Sequence, residues 1–79
     1  MNFREYIYKR PILNNTSGDF IKGAREDTEL PLNPGTWNDL KSYLKSKERD
    51  EEFLTAGRRV FRSYRDYVKR LEREAAALN

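Results

Sequence analysis

Apolar side chains recur along this chain at spacings of three and four, and alternation of period two persists nowhere. The pattern therefore predicts helices and no strand. Phe3, Tyr6 and Ile7 follow Asn2, a residue suited to capping a helix, and Pro11 lacks the backbone donor that a continuing helix needs. A short first helix over roughly residues 3–10 is expected. The loop from Asn14 to Asp19 leads to a second start, with Thr16 or Ser17 as cap and Asp19 favouring the positive end of the helix dipole. Phe20, Ile21 and Ala24 supply its buried stripe. Pro31 and the turn Asn33-Pro34-Gly35 close that element and open a third, capped by Thr36 with Asp39 three residues on, as in a capping box. Trp37, Leu40 and Leu44 fall on one face of this helix, and Trp37 is expected to anchor the core.

The acidic group Glu48-Arg49-Asp50-Glu51-Glu52 precedes the longest periodic run, where carboxylates complement a helix N-terminus. Phe53, Val60, Tyr64, Tyr67 and Leu71 form a helical stripe, with Phe61 and Val68 beside it. Gly57 lies on that stripe and has two readings: a break that divides the helix, or a place where a neighbour comes close. The expected fold is all-α, a compact bundle of four or five short helices in one domain over residues 1–72, with 73–79 as a fraying tail. Its expected core is Phe3, Tyr6, Phe20, Ala24, Trp37, Leu40, Leu44, Val60, Tyr64 and Tyr67.

One stretch has more than generic periodicity: Phe20-x3-Ala24-x2-Asp27-x2-Leu30-Pro31, then Leu40-x2-Tyr43-Leu44. With the opening pair Phe3 and Tyr6 and the late Val60, Tyr64 and Tyr67, it resembles the YozE-like family of small bacterial proteins. The resemblance implies a sterile-alpha-motif-like arrangement of four helices and a bacterial or phage origin, and it implies no activity. Leu30 stands where that family tends to have Phe, and Tyr64 where it tends to have Trp. The basic segment past Tyr67 lies outside the resemblance. Asp27 has a physical reading of its own: a carboxylate near a helix C-terminus opposes the dipole. It is therefore expected to bond the turn at Thr28-Glu29 or a partner in the next helix, while Leu30 inserts into the core.

Composition narrows the chemistry. With no cysteine and no histidine among 79 residues, disulfides, the usual zinc ligands and nucleophile–imidazole pairs are excluded. Hydrophobic and charged residues each make up 37%, yet 13% are aromatic, which favours a thin core of large rings over disorder. No apolar run approaches a membrane span, and the first residues lack the apolar stretch of a secretory signal, so a cytoplasmic location and no membrane partner are expected. The carboxylates Glu48, Asp50, Glu51 and Glu52 are the only clustered acid/base candidates, and a solvated helix start accounts for them. The four glycines fit no phosphate loop. A non-catalytic domain with no cofactor and no small-molecule substrate is expected.

The sharper signal is charge placement. Residues 58–79 carry seven basic and three acidic side chains, net +4, against net −1 for the rest. Arg58, Arg62, Arg65, Lys69 and Arg73 fall within an arc of about 80° on the last helix, away from the apolar stripe. They make a ridge ~22 Å long, a length that meets several nucleic-acid phosphates. Local pairing of Arg62, Asp66 and Arg70, and of Lys69 with Glu72, would leave an ordinary solvated face instead. Two functions stay open: nucleic-acid backbone contact through the ridge, or protein interaction, including self-association of the acidic 48–52 segment with the basic helix of another copy. Tyr8, off the first stripe, is a candidate exposed ring.

Overall fold

Asn2 Oδ1 accepts the backbone N–H of Glu5 at 2.9 Å and so opens α1 (Phe3–Lys9) as the sequence predicts. The structure, a computed structural model, describes residues 2–9 and 16–78. The remaining helices are α2 (Thr16–Glu26), α3 (Trp37–Ser46) and α4 (Glu51–Leu78), with no strand among the described residues. The all-α bundle is thus as expected, while residues 10–15, which include Pro11 and the start of the expected loop, lie outside the described residues. Thr16 to Asp19, expected as loop and cap, lie inside α2. Thr36 does cap α3, its hydroxyl accepting the Asp39 N–H at 3.2 Å. Asp50, within the acidic group, caps α4 by accepting the Phe53 N–H at 2.8 Å.

The chain between α2 and α3 is fastened at several points. Asp27 Oδ1 accepts the Glu29 N–H at 3.0 Å and Oδ2 accepts the Tyr43 hydroxyl at 2.7 Å, so both expected partners are made by one carboxylate. Leu30 is buried as expected. The Arg4 guanidinium donates to the carbonyls of Asp27 and Thr28, and its backbone N–H to Leu32 O at 3.1 Å, tying α1 to the same segment. At the C-terminal end of α1, the carbonyls of Ile7 and Tyr8 accept from Arg25 at 3.2 and 3.0 Å. A cation there complements the helix dipole.

All three shorter helices pack on α4. Phe3, buried to 0% exposure, meets Phe61 and Tyr64 edge-on at 5.5 and 5.3 Å, and Tyr6 lies 5.4 Å from Tyr64. Phe20 lies 4.9 Å from Phe53 and directly over Gly57, where a Cβ would come within 2.8 Å of Phe20 Cε2. Of the two readings of Gly57, close approach is the one realised, because α4 runs through it unbroken. Ile7, Ile21, Leu54, Ala56 and Phe61 join the expected core. Trp37 and Tyr67 are only partly buried and pack against its margin. Trp37 is therefore an edge residue and not the expected anchor.

The bundle is also less uniform than four or five short helices. At 1.5 Å per residue the 28 residues of α4 extend about 42 Å, which matches the 45 Å long axis of the molecule. The helix continues through residues 73–78, expected as a tail, and every side chain from Lys69 to Ala77 is exposed. The last two turns thus stand clear of the other helices.

Candidate nucleic-acid interface

All five ridge residues follow Gly57 within the single helix α4. Arg58, Arg62, Arg65, Lys69 and Arg73 are all exposed and lie on one face, with the first three beside the bundle and the last two on the free end. Among the described residues none of the five is in an ion pair, and the expected pairs of Arg62 and Arg70 with Asp66, and of Lys69 with Glu72, are not formed. The cations are therefore left facing water, with Arg65 the one that is oriented: its Nη1 donates to Gly35 O at 3.4 Å. That bond leads the ridge to the start of α3. α3 then runs back antiparallel to α4, since Trp37 packs on Phe61 at 6.4 Å while the turn after Ser46 leads into Glu51.

The other candidates have local roles. Asp50 is held as a cap, and Glu48, Glu51 and Glu52 are exposed. Glu48 has a φ of 58°, the left-handed position that ends α3, with its N–H donating to Lys45 O and the Arg49 N–H to Leu44 O. Tyr8 is 54% exposed, yet its hydroxyl donates to Arg25 O at 3.1 Å and the Arg25 guanidinium lies 6.0 Å from its ring centre. Leu71 is 39% exposed where the apolar stripe of α4 runs past the bundle. No helix among the described residues is long and apolar enough to cross a membrane.

Two phenols are perturbed. Burial, then the hydrogen bond to and charge of Asp27, push Tyr43 up to about 12, and burial raises Tyr64. The folded state of Tyr43 favours the neutral phenol, so its contribution to stability is full below pH 10 and is lost as pH rises toward 12. Urea unfolding followed across that interval should show stability falling more steeply in the wild type than in Tyr43→Phe. Parallel slopes would mean that the Asp27–Tyr43 bond does not fasten α3 to the end of α2. A pin of this kind matters for the interface because α3 carries Trp37 to the edge of the ridge.

Comparison of the chain with family models, with curated proteins and with solved structures finds no match. The geometry of α4 and its surroundings is thus what a functional reading rests on.

Proposed function

We propose that the chain is a non-catalytic module that binds the nucleic-acid backbone through Arg58, Arg62, Arg65, Lys69 and Arg73. The observation that supports this is the five exposed cations aligned on one face of a continuous helix, none in an ion pair among the described residues. Four of the five are arginines, whose planar forks suit bidentate contact with phosphate. Contact of this kind is mainly electrostatic and weakly selective for sequence. Four or five phosphate contacts give a log–log salt slope of about −4, so affinity for duplex DNA falls a few hundredfold between 50 and 200 mM salt.

The test is an anisotropy titration of labelled oligonucleotides over that salt range. It compares the wild type with a variant carrying Arg58→Ala, Arg62→Ala and Arg65→Ala, whose slope should be shallower by about 3. The three positions lie off the apolar stripe, so helix content should be unchanged. Absence of binding at the low-salt end, or equal binding by the variant, would leave the ridge as a solvated face.

A second reading, self-association, is favoured by a separate observation: the free end of α4 exposes Leu71 beyond the bundle while the acidic start of the same helix is also exposed. Sedimentation at low salt and rising concentration tests it, and a monomer throughout removes it. Kinship to the YozE-like family is likewise a proposal. It is supported by the joint use of Phe20, Ala24, Leu30, Leu40 and Leu44 in the core and by the Asp27–Tyr43 bond.

A further inference from the structure

Trp37 is the sole tryptophan and occupies the first position of α3. Phe61 lies beneath it, 6.4 Å between ring centres with the planes tilted by 43°, and the indole is partly buried. Two cationic features flank it, although the Asp39 carboxylate also lies beside Gly35. Arg65 of the ridge is bonded to Gly35 O, two residues before the indole. Lys41 and Lys45 follow Trp37 at i+4 and i+8, along the same edge of α3, and Lys45 is exposed. The indole therefore sits in the seam between the cations of α3 and the ridge of α4. We propose, on the nucleic-acid reading above, that this seam takes a single strand, with one base stacked on Trp37 and the flanking phosphates on Arg62, Arg65 and Lys41.

A single strand presents the π-face of every base, and an aromatic ring set in a basic groove captures it without regard to sequence. A duplex keeps those faces inside its own stack, so only the ridge is available to it. The two parts of the site also act differently with salt. Phosphate contacts release counterions and set the slope, whereas stacking involves no counterion and adds a factor that salt does not change.

Because no other tryptophan is present, its emission reports the seam directly. The wild-type chain is titrated with unlabelled single-stranded and duplex oligonucleotides of equal length, and the same pairs are followed by anisotropy of labelled strands. The single strand is expected to quench Trp37 emission, saturating where the anisotropy does, and to bind more tightly than the duplex at equal salt. Trp37→Ala should weaken single-strand binding about tenfold, one base–ring stack, at every salt concentration while leaving the slope and the duplex affinity unchanged. Binding by anisotropy with unchanged emission, or a duplex that binds as tightly as the single strand, overturns the seam and leaves the ridge standing. No binding by either method overturns both. The quenching result stands on the wild type alone, so it decides the matter even where Trp37→Ala disturbs folding.

Discussion

Truncating Phe3 to alanine is expected to remove most of the stability of this domain. The ring is completely buried and meets two rings of α4 edge-on, so its loss leaves a cavity walled by Phe61 and Tyr64. Removing a buried Phe costs about 3–5 kcal/mol, while a domain of this size has about 4–12 kcal/mol in total. The midpoint of thermal unfolding, followed by far-UV circular dichroism, should fall by roughly 15–30 °C, or the cooperative transition should vanish altogether. A shift below about 5 °C would mean that α1 docks loosely and that the core is organised without it. Trp37→Ala is the internal comparison: the indole is only partly buried, so its removal costs less than that of a fully enclosed ring.

Much of the fold is legible because it depends on short-range chemistry. Asn2 and Thr36 are caps by residue type and position, and both make the hydrogen bond that type allows. Asp27 is legible for the opposite reason, since a carboxylate in an unfavourable dipole needs a partner, and it has two. The errors occur where local signals compete. Thr16 to Asp19 are loop and cap residues by type, but all four lie inside α2. In the acidic run 48–52, charge suggests a uniform helix start. The chain instead spends Glu48 on a left-handed turn that ends α3 and Asp50 on the cap of α4. Nothing in the residue types separates these roles, because a glycine is the usual signal at the first position and it is absent.

The candidate site divides in the same way. The ridge is a property of one helix, readable from spacing once α4 is continuous, and its five exposed cations lie as the sequence arranges them. What the sequence does not contain is the neighbour across the groove. Trp37 reads as core because it shares a stripe with Leu40 and Leu44, and only the antiparallel return of α3 places it at the margin, beside the loop that Arg65 holds. Periodicity gives the direction in which a side chain points but not the depth to which it is covered.

Gly57→Val is expected to destabilise the fold although it removes no atom. On propensity alone a glycine in mid-helix is unfavourable by about 1 kcal/mol relative to alanine, so filling it should help. Packing opposes this. A Cβ at position 57 would lie 2.8 Å from Phe20 Cε2 and 3.2 Å from Cδ2. Phe20 is fully buried, with the Phe53 ring 4.9 Å away, so the ring has little room to retreat. Valine adds two further methyls at that contact and brings the lower helix propensity of a branched side chain, so a loss of about 3 kcal/mol is expected in urea unfolding. Alanine should lose less, because its clash is partly offset by the gain in propensity. The decisive comparison is a double-mutant cycle in which Phe20→Leu makes room. Gly57→Val should then cost less in the Phe20→Leu background than in the wild type, by a coupling within about 0.5–3 kcal/mol. If Gly57→Val is neutral or stabilising in the wild type, helix propensity outweighs the contact. The ring of Phe20 would then be free to move, and close packing of α2 on α4 would not be what keeps a glycine inside the ridge-bearing helix.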